Sequence, residues 1–276
     1  MTIGALLALC SAAVWGSGDY CGGRAATRSD PFQVLSLAAS SGIVMLVAAA
    51  LISGESLTLS VELLWAAVAG VSGSLGIVAL YRGLAIGNAA SVAPMASVVA
   101  AVLPVLYGIA ANGAPRSTQL LGFALALAGI WLVASAAPDQ SGSRRGLWLG
   151  TLAGVGFGGF MILIAQGDVA AVYVPLVVAR TMMLLTAVVT LTARRMTLPG
   201  PGSNPTALLA GVLDTGGNVL YLLARQQVRL DIAAVLSSLY PVATVALARI
   251  VGHETITRTQ WIGAAACLFA VLLITA

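Results

Sequence analysis

Charge is scarce in this chain. Only 8% of its 276 residues are Asp, Glu, Lys or Arg, lysine is absent, and His253 is the single histidine. Soluble proteins carry about 25% charged residues, so a chain this poor in them cannot clothe a water-facing surface. Its thirteen basic residues are all arginines that punctuate apolar runs rather than gathering on one face. That distribution excludes a nucleic-acid-binding surface. One histidine permits neither a multi-histidine metal centre nor a His-assisted triad. The cysteines Cys10, Cys21 and Cys267 form no CxxC and no Cys/His spacing, which leaves a zinc site or a disulfide framework without support. No cofactor is expected. The opening MTIGALLALC has no basic stretch ahead of its apolar run, so it is expected to be retained rather than cleaved as a secretory signal.

Apolar side chains fill the space that charge leaves, at 59% of the chain. About 20 such residues, rising 1.5 Å each, cross a hydrocarbon layer of about 30 Å. Breaking the chain at its arginines, Gly-Pro pairs and polar clusters predicts ten spans, near residues 2–22, 31–53, 61–82, 89–111, 118–136, 146–167, 170–192, 205–225, 231–251 and 258–276. The longest connection, TARRMTLPGPGSN, leaves no room for a folded soluble domain. Alternating strands of about 10 residues, the mark of a membrane barrel, are missing, so the spans are expected to be helices.

The two halves of the sequence match. Gly4, Ala8, Ala12 and Gly16 recur as Gly146, Gly150, Gly154 and Gly158, each 142 residues later. Tyr81 finds Tyr221 at 140, and Ser97, Gln119 and Gly122 find Ser238, Gln260 and Gly263 at 141. A near-constant offset indicates duplication. Residues 1–137 and 138–276 are the expected repeats, each with five spans, and an odd number turns the second copy upside down in the bilayer. The expected fold is an all-α integral membrane protein, ten transmembrane helices in two inverted five-helix repeats around a central cavity. Inverted repeats are the plan of many secondary transporters, with the substrate site near the midplane. The ladders of small residues are expected to pack helices closely.

The WGSGD that closes the first span and LSSLYPVATVALARIVGHETITRTQWIGAAACLFAVLLI (Leu236 to Ile274) resemble the drug/metabolite transporter superfamily, of the EamA type. The five-plus-five duplication extends the resemblance over essentially the whole chain. It implies a membrane carrier for small molecules such as amino acids, nucleosides, drugs or other metabolites, often driven by an ion or substrate gradient. One departure stands out: the family repeats its acidic turn in the first half, where this chain has Gly113 opposite Glu254.

A lone charge at the bilayer centre costs roughly 2.5–3.5 kcal/mol on insertion scales. Arg180 and Asp214 fall at the middle of the seventh and eighth spans, where they can meet as a locking ion pair or as a substrate- or proton-binding pair. Their counterparts by the repeat are Ala38 and Ser74, and that of Asp19 is Met161. These charges break the internal symmetry, as a site at the seam between the copies would. Asn218 and Tyr221 share a helical stripe with Asp214. Ser237 and Tyr240, with Pro241, come from the ninth span; Ser97, with Pro94, comes from the fourth. The two prolines are expected to curve these spans around the cavity. Trp15, Ser74 and Tyr81 complete the expected substrate-binding or coupling set.

Asp19 admits two readings: a group that reaches the interface near Arg24, or a protonatable coupling group on the transport route. GSGD also fits the Gly-x-Gly-Asp of intramembrane aspartyl proteases. That chemistry needs a partner acid in a Tyr-Asp pair and a Pro-Ala-Leu, and the sequence contains neither. Thr257 and Gln260 spell a capping box before the last span. The expected function is a secondary transporter in the cytoplasmic membrane, moving a small solute by alternating access, most readily as an exporter with protons as the coupling ion. Neither a monomer nor a homodimer is excluded. Nine arginines follow odd-numbered spans against three on the other side, which places the termini outside by the positive-inside rule. The family resemblance implies termini inside.

Overall fold

The computed structural model describes residues 2–55, 61, 63–85, 89–134, 144–167, 171–253 and 255–276, without the side chains of residues 81, 83–85, 89–91, 93, 94 and 144. Its helices are α1 (Ile3–Ala26), α2 (Pro31–Ser53), α3 (Leu63–Ala85), α4 (Ala89–Asn112), α5 (Ser117–Ala134), α6 (Arg144–Ile164), α7 (Tyr173–Ala193), α8 (Pro205–Arg225), α9 (Leu230–Ser237), α10 (Tyr240–Ile250) and α11 (Arg258–Thr275). Among the described residues there is no strand. Helix starts follow local chemistry. Asp30 caps α2 ahead of Pro31, and Asn204 caps α8 ahead of Pro205, positions where a missing proline N–H costs nothing. The capping box expected at Thr257 and Gln260 is present at the start of α11.

Nine segments among the described residues are long and apolar enough to cross a bilayer, with α9 and α10 counted together. The tenth crossing is α1. Its 24 residues extend about 36 Å at 1.5 Å per residue, while the polar Ser17, Asp19 and Tyr20 dilute its hydropathy. The ninth span is broken. Pro241 sits in the first turn of α10, where it has no N–H to return to α9, and the helix gives way to a turn at Ser238 and Leu239.

Packing repeats when the halves are exchanged. The pair α1 and α8 has its counterpart in α3 and α6, and α2 with α8 has its counterpart in α3 with α7. The pairs α2–α7, α4–α9 and α5–α11 map onto themselves. With five crossings per half, the copies are inverted. Together the contacts trace a ring through α1, α8, α2, α7, α3, α6, α4 and α9, closing on α1. One mouth of this ring carries nine arginines and is called the arginine-rich face; the other carries Arg116, Arg225, Arg229 and both termini.

The small-residue ladders do pack helices closely. A Cβ on Gly150 would come 2.7 Å from the Val92 carbonyl oxygen, and one on Gly154 2.7 Å from that of Ala96, so α6 rides directly on the α4 backbone. Gly16 meets Tyr240, Ala243 and Thr244 in the same way, joining α1 to α10. The tightest approaches are symmetric: Gly70 on the Ala179 carbonyl and Gly211 on that of Ala38, 141 residues apart on both sides. Both contacts are with backbone, which cannot rotate away. Gly70→Ala and Gly211→Ala are each expected to lower stability by about 1–3 kcal/mol, the typical cost of overpacking, measurable as a fall in the thermal unfolding midpoint in detergent.

Candidate functional site

Arg180 projects from α7 past α2 to reach α8. Gly42 makes the passage, since a Cβ there would strike Thr215 and stand 3.6 Å from Arg180 Cδ. Arg180 Nη2 donates to Asp214 Oδ2, and Nη1 lies 3.8 Å from Met183 Sδ. The two partners differ in access: 5% of the Arg180 side chain is exposed against 40% of Asp214. The cation is sealed in protein while the carboxylate is partly open.

An aromatic platform adjoins the pair. Trp15 Nε1 donates to the Asp214 backbone carbonyl at 3.1 Å, and Asn218 Nδ2 donates to the same oxygen at 2.8 Å. The Trp15 ring stacks on Tyr221 at 5.8 Å and meets Tyr240 edge-on at 6.4 Å. The Tyr240 hydroxyl lies 3.5 Å from Ser97 Oγ. Gly217 permits this arrangement, because a Cβ there would collide with the indole.

Asp19 lies one turn beyond Trp15 on the same face of α1. Asp19 is followed by a further stretch of α1, which ends at Ala26. Its neighbour Gly18 packs on the Asp214 backbone, and its carboxyl is within electrostatic reach of Asp214 and Tyr240. Asp19 is exposed and makes no hydrogen bond or ion pair among the described residues. Two acids and one guanidinium therefore share the site.

The structure brings together Trp15, Asp19, Ser97, Arg180, Asp214, Asn218, Tyr221 and Tyr240. Tyr221 is fully enclosed, its hydroxyl donating to the Met161 carbonyl at 3.0 Å, so it braces Trp15 from behind. Ser237 is also enclosed and donates to Ala8 O at 3.2 Å, while Ser74 donates to Gly70 O of its own helix at 2.8 Å. Neither hydroxyl points into the cluster. Pro241 begins α10 at the break. The side chains of Tyr81 and Pro94, and Glu254, lie outside the described residues. α1 and α7 supply Trp15, Asp19 and Arg180 to the cluster. Surface recesses of about 330 Å³ beside Asn112 and Arg225, and about 360 Å³ between α3 and α6, lie elsewhere.

Three charged residues with defined partners escaped the sequence reading. Glu55, just past α2, accepts the N–H groups of Val172, Tyr173 and Val174 at 3.2, 3.0 and 2.8 Å, capping α7 from the other repeat. Asp231 is fully buried at the start of α9 and accepts from Arg229 Nε and Nη2 at 3.2 and 2.8 Å. Those bonds hold the Arg229 proton more tightly than usual, its pKa moving up. The only signal for them in the sequence is that each charge stands at the edge of an apolar run.

A comparison with curated proteins gave no match. Among solved structures, one titled only as a crystal structure of a protein superimposes with a TM-score of 0.78 at 18% identity, over 99% of this chain and 96% of that one. At that identity the likeness establishes the fold. The profile of the EamA-like transporter family matches twice, over residues 2–135 and 144–276. Inverted five-helix halves, each matching one copy of that profile, account for the whole chain. It belongs to the EamA-like transporter family and is a multi-pass membrane transporter of the drug/metabolite type.

Proposed function

We propose that this transporter moves a small solute out of the cytoplasm by alternating access, with Asp19 as the proton-coupling group. The observation that carries this reading is the pairing of Arg180 with Asp214 beside an Asp19 that has no hydrogen-bond or ion-pair partner among the described residues. In that pairing the Asp214 carboxylate is occupied by a guanidinium. The unpaired one is the group left to exchange a proton for substrate at the same place. Trp15 and Tyr240 present ring surface beside it, suited to a solute with an apolar or aromatic part. By the arginine count the arginine-rich face is cytoplasmic, so a site reached from that face loads from the cytoplasm. The cytoplasmic membrane is the proposed location, and the substrate and protons are the proposed partners, with no second subunit required by the ring.

The nearness of Asp19 and Asp214 bears on the aspartyl protease alternative, because it sets a second acid near the Gly-x-Gly-Asp aspartate. An aspartyl dyad shares one proton between its carboxylates. Here Arg180 occupies Asp214, which removes that partner and favours transport.

The test compares metabolites in the medium of cells with and without the protein, followed by uptake of the leading compound into inside-out vesicles. Accumulation that collapses when the pH gradient is dissipated is expected. Accumulation indifferent to the gradient rejects the proton-coupled mechanism, and an unchanged exported pool rejects export.

A further inference from the structure

The two halves of the ninth span are packed very differently. Seven of the eight residues of α9 are buried, whereas in the eleven-residue α10 only Pro241 is. α9 lies against α4 from the other repeat. α10 stands away from α4 among the described residues, touching it near the break through Tyr240 and Ser97. Among the described residues the ring is therefore shut between α4 and α9 on the arginine-poor side and parted between α4 and α10 on the arginine-rich side. The exposed Asp19 and partly open Thr244 lie along that parting. On the far side of the ring, α2 and α7 are tied at both mouths, by Glu55 on the α7 amides and by Gln33 Nε2 on Thr197 O at 2.9 Å. That side is built as a pivot.

At the shut mouth Arg229 does more than neutralise Asp231. Its Nη1 and Nη2 donate to Asn112 O and Gly113 O at 3.3 and 2.7 Å. These are the final carbonyl of α4 and the one just past it, at the negative end of that helix. Gly108 lets the α4 backbone close on Asp231, since a Cβ there would stand 2.8 Å from the Asp231 Cβ. One arginine thus joins a buried carboxylate of the second repeat to the helix end of the first. Displaced by 141 residues, Arg229 and Asp231 correspond to Asn88 and Ala90, so the sequence carries no charge pair at the equivalent place on the arginine-rich side.

We propose that Arg229 and Asp231 form a one-sided latch that sets which mouth the empty carrier opens. They are positioning residues that never meet the solute. The latch holds the arginine-poor mouth closed, with no charged twin to hold the other, and biases the resting carrier toward the arginine-rich face. Opening the shut mouth requires Arg229 to leave Asn112 and Gly113, and α10 to swing onto α4 about the break at Ser238 and Leu239. The inference rests on the alternating-access reading above.

The experiment is double electron–electron resonance on the full chain in nanodiscs, with Cys10, Cys21 and Cys267 replaced by alanine. Labels at Ala111 and Gln227 report the latched mouth, and labels at Trp148 and Ile250 report the other; all four positions are exposed. The unmodified latch is expected to give mainly a short distance in the first pair and a long one in the second. In Asp231→Asn, and in the double variant Arg229→Gln with Asp231→Asn, the ratio of opened to latched molecules should rise about tenfold, within the range of typical coupling energies between sites. The second pair should shorten in the same molecules. Local loosening lengthens the first distance without shortening the second, and that outcome overturns the latch. So does a wild-type protein that exchanges between the two patterns with both variants unshifted. A protein whose distances never exchange, across pH and with the exported compound added, overturns the alternating-access reading and the latch with it.

Discussion

Asp214→Ala is expected to lower stability by about 3–5 kcal/mol, the cost of leaving one partner of a buried ion pair alone. The stranded group is Arg180, with 5% of its side chain exposed and only Met183 Sδ left nearby. Water reaching the more open Asp214 weakens the pair, so the lower end of that range is expected. Replacing both residues, as Arg180→Met with Asp214→Leu, should restore most of the loss, because an apolar pair of similar volume often serves as well as a buried salt bridge. Thermal unfolding in detergent measures all three proteins. A double variant as unstable as the single one would show that packing around the α2 passage, not charge, holds these helices. If the double variant folds and still transports at the wild-type rate, the pair is a structural lock with no part in the cycle.

Asp19→Asn should leave folding unchanged and remove transport driven by the pH gradient. Asparagine keeps the shape and the exposure of the aspartate but cannot take up a proton. In proteoliposomes, accumulation against a gradient should fall to the level of protein-free vesicles, while exchange of labelled for unlabelled solute across the same membrane should continue. The contrast between the two assays matters: a variant that loses both has lost binding, and one that keeps both has its proton route elsewhere. Asp214→Asn differs from it in the protein's stability, because only Asp214 has a charge partner to abandon.

Much of the scaffold was legible because membrane helices obey length and composition. The span beginning at Pro31 and that beginning at Pro205 were fixed by a capping side chain followed by proline, and Thr257 with Gln260 announced α11. The duplication was readable from Gly4 and Gly146 onward, since backbone contacts tolerate only small residues and so leave a period behind. The break inside the ninth span was less legible: Pro241 marks a bend, but a smooth bend and an interrupted helix look alike in sequence. Arg180 and Asp214 were found because a mid-span charge is costly. Glu55, Arg229 and Asp231 were overlooked because charges at span ends normally face water, and only the tertiary fold shows that Glu55 and Arg229 reach backbone groups more than a hundred residues away and that Asp231 is buried against Arg229. Asp19 and Asp214 became neighbours for the same reason, through the packing of α1 on α8.

Glu55 has a consequence for how the chain is assembled. The residue ahead of α7, Val172, offers no side-chain cap, and the leading amides of that helix find an acceptor in a carboxylate made by the ribosome more than a hundred residues earlier. A second half produced by itself would enter the bilayer with those donors unsatisfied and its seventh helix frayed at the start. Supplying the first half as a separate polypeptide should therefore rescue the second from degradation, and a first half carrying Glu55→Ala should rescue it poorly.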